Sequence, residues 1–145
     1  MIHACDDVGL ADPNAIVVAQ SCVNAFEKIG LPEGRIPLAE GIIYVSEAPK
    51  SNQVVEALAL ADNAVKSIKR ETVPLYLRDP SFKDKDEAVS GYKYPHDYGG
   101  WVEQQYLPDE LKNERFYNPT DNGFEKVIKE RQSLRAAGNK TNSDR

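Results

Sequence analysis

Over the first 70 residues the apolar positions keep helical time; from Glu71 to Asn118 they lose it. Ile16, Ala19, Val23, Phe26 and Ile29 recur at spacings of three and four, the period of one helical face. Asp12 and Pro13 stand before them as N-cap and first-turn residue, and Gly30 follows as a stop. Leu31-Pro32-Glu33-Gly34 is a turn. A second helix is predicted over 35–48, with Ile36, Ala39, Ile42, Ile43 and Ser46 on one face, Pro37 tolerated in its first turn and Pro49 ending it. Ser51 or Asn52 caps a third, over 53–70. Its Val54, Leu58, Ala61, Val65 and Ile68 make a narrow seam suited to antiparallel packing. Residues 1–8 also read as helical, closed by Gly9, but no capping residue precedes them and Asp6 and Asp7 oppose the dipole at the C-terminal end. A helix without a start signal is expected of a piece cut from a longer protein.

Between 71 and 120 only short signals survive. Val73-Pro74-Leu75-Tyr76-Leu77 is apolar and extended in character, 83–87 is a charged run, and Leu107–Lys112 reads as one helical turn opened by Pro108. So long a connection without periodicity points to a functional or interface role. Asp121 then caps a last helix over 122–137, with Phe124, Val127, Ile128 and Leu134 as its apolar stripe and Gly138 closing it. Residues 139–145 are polar and expected to be a disordered tail. The predicted organisation is one domain: a helical core over 1–70 with a truncated start, an irregular aromatic-rich segment over 71–120 packed on it, a final helix over 121–138, and the tail. The fold class is all-α, a helical bundle or array.

The aromatic residues sharpen this picture. Six of the seven tyrosines fall after residue 75, and residues 91–108 gather Tyr92, Tyr94, Tyr98, Trp101 and Tyr106 around His96. Three uses are open to such a stretch: a packed loop whose rings cover helices, a protein–protein interface, since Tyr and Trp dominate hot spots, or a platform for single-stranded nucleic acid. Charge weighs against the last. The chain carries a net charge of −5, and within the stretch Asp97 and Glu103 oppose Lys93. The basic positions of the last helix, Lys126, Lys129, Arg131 and Arg135, alternate with Glu125 and Glu130, the pattern of a solvated face.

A chain of 145 residues is long enough for its own core. No apolar run reaches the ~18 residues of a membrane span. The two cysteines, Cys5 and Cys22, read as free thiols. Motifs for chemistry are missing. The chain has no phosphate-binding glycine loop and no nucleophile elbow. No pair among His3, Cys5, Cys22 and His96 has the spacing of a zinc site. Asp6 and Asp7 are expected to bond to nearby backbone or to an arginine such as Arg35. Neither a catalytic residue nor a bound metal or cofactor is expected.

Several strings, taken together, carry a resemblance: Asp6-Asp7-Val8-Gly9-Leu10-Ala11-Asp12-Pro13, Gly34-Arg35-Ile36-Pro37-Leu38-Ala39, Ala48-Pro49-Lys50-Ser51-Asn52, Val73-Pro74-Leu75-Tyr76-Leu77-Arg78, all of 91–108, Arg115-Phe116-Tyr117 and Ile128-Lys129-Glu130-Arg131. Over residues 1–137 the chain resembles the C-terminal region of the RarA/MgsA family of replication-associated recombination AAA+ ATPases, relatives of clamp loaders. It departs at 81–90, where the family often has a longer, glycine-containing connection. The resemblance implies a helical, collar-like oligomerisation domain following the AAA+ lid. It implies a homo-oligomer, a tetramer, and a parent enzyme that binds ATP and Mg²⁺ upstream of these residues. It further implies a cytoplasmic, nucleoid-associated protein acting in DNA replication, recombination and repair. Its partners would be forked DNA, DNA ends and single-stranded-DNA-binding protein. The residues expected at an oligomer or partner interface are Val54, Leu58, Val65, Tyr92, Tyr94, His96, Tyr98, Trp101 and Tyr106.

Overall fold

The computed structural model describes residues 1–68, 73–78 and 91–142, the last five as backbone only. The charged run at 83–87 and the departure at 81–90 lie outside them. Among the described residues every regular element is helical. A π-helical turn, Ala4–Val8, and a 3-10 turn, Gly9–Ala11, lead into α1 (Ala15–Ile29), α2 (Arg35–Glu47) and α3 (Gln53–Ser67), and α4 (Phe124–Asn142) closes the chain. Short 3-10 turns at Leu75–Leu77, Pro95–Tyr98 and Asp109–Leu111 punctuate the stretch between α3 and α4. The chain divides into two compact units, Met1–Leu60 with Phe116–Leu134, and Ala61–Arg115 with Arg135–Arg145.

The first unit is built around small residues. Ala4, Val8, Ala15 and Ala19 are buried together, and Tyr44, Val45 and Ala48 of α2 and its end pack on them. Where α1 and α2 meet, a Cβ added to Gly41 would lie 3.0 Å from the Cβ of Cys22, so the two helices approach as closely as a glycine allows. Leu75–Leu77, expected to be extended, forms a 3-10 turn instead; Pro74, at φ −47° and ψ 135°, is extended only at its entry.

Small residues also explain the main corrections to the helix faces. On α1 the expected stripe keeps Ala19 buried, joined by Ala15 and Cys22, while its Ile16 and Ile29 are exposed. On α2 the packed side is Gly41, Tyr44 and Val45. The expected face is the open one: Ile36, Ile42 and Ile43 are 70%, 67% and 63% exposed. The apolar residues of α2 are spread around its circumference, with Ile36 and Ile43 on one side and Tyr44 and Val45 on another, so periodicity selects no single side, and the side that admits a close approach wins. α3 buries no residue at all.

The helix ends follow local chemistry. The Asp12 carboxylate accepts the Asn14 backbone N–H at 3.0 Å in the turn before α1, and Gly30 ends that helix at φ +72°. The Ser51 hydroxyl accepts the Gln53 N–H at 3.3 Å at the start of α3. At α4 the expected cap is displaced. Asp121 pairs with Lys129 at 2.8 Å, and the Thr120 hydroxyl accepts the Asn122 N–H at 3.1 Å. Nor does Gly138 stop α4, which runs on to Asn142, since a single interior glycine costs a helix only about 1 kcal/mol. The expected tail therefore begins as helix.

Candidate functional site

The first turn of α4 is held by a carboxylate. Glu125 is 0% exposed, whereas Phe124, Val127 and Leu134 of the expected apolar stripe are open to solvent. Four donors converge on it. The Ser51 hydroxyl donates at 2.9 Å and the Tyr117 hydroxyl at 3.1 Å. The Thr120 backbone N–H and hydroxyl donate at 2.8 and 2.7 Å. Burial pushes the Glu125 carboxyl upward, but the bonds from Thr120, Ser51 and Tyr117 outweigh it, and its pKa lies below the ordinary 4.5. The same site pushes the Tyr117 hydroxyl up to about 12, through burial first and then through its bond to the Glu125 charge.

Around this clasp the chain is folded back on itself. The Asn122 amide donates to the Lys50 carbonyl at 3.0 Å, and the Ser51 N–H donates to the Asp7 carbonyl at 2.7 Å. The opening turns, the α2–α3 connection and the start of α4 thus form one knot. Gly123 sits inside it at φ +51°, where an added Cβ would fall 2.1 Å from the Ala11 carbonyl oxygen. The Lys50 ammonium donates to the carbonyls of Val45, Ser46 and Ala48 at 2.7, 3.1 and 2.5 Å, closing α2. Tyr44 donates to Asp12 at 2.8 Å; that bond, then burial, then the Asp12 charge raise its pKa. This knot was not anticipated. Thr120 and Glu125 stand five residues apart, wider than the three of a capping box, and the partnership with Ser51 exists only in three dimensions.

The acidic pair near the start has a different partner from the one expected. The Asp7 carboxylate meets His3 at 2.6 Å, at i,i+4, and Arg35 is not involved. His3, Asp6 and Asp7 place their ligand atoms within 4.8 Å of one another, on an open surface. Cys22 is buried and Cys5 half-buried, both as free thiols.

The residues expected at an interface lie on open surface in both units. Val54, Leu58 and Val65 of α3 are 41%, 64% and 52% exposed. Tyr92, Tyr94, Tyr98 and Tyr106 are about half exposed and Trp101 is 36% exposed. His96 is exposed and its ring lies 5.0 Å from that of Tyr94. Two glutamines organise this stretch. The Gln104 side chain exchanges hydrogen bonds with the backbone N–H and C=O of Lys93 at 3.1 and 2.9 Å, and donates to the Tyr106 hydroxyl at 2.7 Å. The Gln105 side-chain amide donates to the Leu107 carbonyl and the Asp109 carboxylate at 3.0 and 2.8 Å, while the Gln105 backbone carbonyl accepts the Tyr76 hydroxyl. Val102 and Leu111 are the buried apolar side chains. Periodicity has no means of detecting such amide clamps, which substitute for a backbone ladder.

Comparison with known proteins agrees with the quoted strings. The family model described as MgsA AAA+ ATPase C terminal matches residues 1–135. The chain is 43% identical over 136 residues to replication-associated recombination protein A of Bacillus subtilis, covering 90% of this chain and 32% of that protein. It is 36% identical over 132 residues to the Escherichia coli K12 protein of the same name, covering 88% and 30%. An uncharacterised protein of Thermotoga maritima is 47% identical over 133 residues, covering 90% and 22%. The chain therefore spans between about a fifth and a third of the length of these relatives. Among the described residues no helix is long and apolar enough to cross a membrane.

Proposed function

The chain belongs to the MgsA AAA+ ATPase C-terminal family, and from that premise we propose that it is the oligomerisation domain of a longer replication-associated recombination ATPase. The domain holds copies of that enzyme together as a homotetramer and carries out no chemistry itself. In this reading ATP and Mg²⁺ are handled by the rest of the enzyme. The assembly works on stalled forks and DNA ends with single-stranded-DNA-binding protein, in the nucleoid. The observation that carries the reading is α3, a helix with no buried residue that presents Val54, Leu58 and Val65 to solvent. Helical stability comes mostly from packing an apolar face, so an uncovered apolar helix calls for a partner surface. Sedimentation velocity and light scattering on the 145-residue chain test it. A concentration-dependent oligomer is expected; a strict monomer at tens of micromolar would sink the proposal.

A second reading has its own support in the half-exposed rings of 91–108, which form a surface suited to a protein or single-stranded DNA partner. In that case forked DNA or single-stranded-DNA-binding protein binds this stretch. Trp101→Ala and Tyr94→Ala then abolish binding while circular dichroism and thermal melting stay unchanged.

A further inference from the structure

Resting on the oligomerisation reading, we propose that the open face of α2 is a two-fold contact between copies. Two α2 helices run parallel there, with Arg35 of one copy facing Glu40 of the partner subunit. The face is laid out for this. Arg35, Ile36, Ala39, Glu40, Ile43 and Tyr44 line an open groove of about 720 Å³. Ile36 and Ile43 stand seven residues apart, with Ala39 and Ser46 three residues after each. That is the spacing of a short coiled-coil seam, isoleucine at one core position and a small residue at the other. Gly41 is on the opposite side, buried against Cys22, so the seam is the side that the chain's own core leaves free.

The charges choose the direction. Arg35 flanks the seam on one side, and Glu40 and Glu47 flank it on the other; all three are exposed. In an antiparallel pair each flank meets its own copy, which sets the glutamates against one another. In a parallel pair opposite flanks meet, and a residue on one helix faces the residue five further along its partner. Arg35 and Glu40 have that offset, so a two-fold axis along α2 forms the ion pair twice. Ala39 and Ser46 let the helices come close. The occupant the face fits best is a second copy of itself.

The test uses the 145-residue chain and the variants Arg35→Glu and Glu40→Arg. Each alone is expected to weaken self-association by about tenfold, because like charges then face each other. Mixing the two variants is expected to restore association, since every contact then joins opposite charges. No rearrangement within one copy produces that rescue. As an independent readout, Ala39→Cys in a Cys5→Ser background is expected to form a disulfide-linked dimer under mild oxidation. If the wild-type chain assembles but mixing gives no rescue and Ala39→Cys gives no cross-link, the α2 contact is overturned and oligomerisation rests on α3. If the wild-type chain is monomeric at every concentration, both are overturned, and α2 covers another part of the longer protein or a different partner.

Discussion

Glu125 is a fully buried acid surrounded by donors, and its removal strands all of them at once. Glu125→Ala is expected to lower stability by at least about 3 kcal/mol, since each buried bond to a charged group is worth about 1.5–3 kcal/mol when its partner is lost. A urea titration followed by circular dichroism measures it. The carboxyl titrates below its ordinary 4.5 in the folded chain, so its contribution is complete above that pH and fades as pH falls through the lowered value. Glu125→Gln should therefore flatten the acid limb of a stability–pH curve. Tyr117 has the opposite sign. Its pKa rises from 10.0 to about 12, so its share of stability is complete below pH 10 and is lost as pH rises toward 12. Tyr117→Phe should remove that alkaline loss and cost about 1–2 kcal/mol at neutral pH, read by thermal melts across both ranges.

At the scale of elements, the knot that ties the opening turns to α4 depends on close backbone approach. Gly123 occupies a left-handed conformation with the Ala11 carbonyl where a side chain would begin. Gly123→Ala is expected to cost about 3 kcal/mol or more, from the disfavoured φ and from forcing these segments apart, and to lower the melting temperature accordingly. The helices themselves were legible in the sequence because capping and breaking residues act locally: Gly30, Pro49 and Ser51 mark ends that the structure keeps. Their buried faces were less so. Periodicity ranks residues by hydrophobicity; it found Ala19, but on α1 and α2 the rest of the contact went to Ala15, Cys22 and Gly41, which are small rather than strongly apolar. Beyond α3, Pro108 marked the turn at Asp109–Leu111, whereas the turn at Pro95–Tyr98 and the glutamine clamps left no periodic trace.

For the whole molecule, the proposed assembly draws on surfaces that the fold leaves open. Leu58 is 64% exposed, so Leu58→Asp is expected to change the melting temperature by no more than about 2 °C while shifting the chain toward smaller species in sedimentation. Loss of folding together with loss of assembly would instead mark Leu58 as part of the chain's own core. All-helical character, the positions of the helices and membership of the family were readable from the residues alone, since helical period, end signals and long family strings are properties of neighbours along the chain. The side of each helix that packs, the seating of an acid rather than a leucine at the heart of α4's anchorage, and the joining of Ser51 to Glu125 emerged only from the folded structure. Those depend on which distant segments can approach closely enough to exclude water, and nothing in a local pattern encodes that distance.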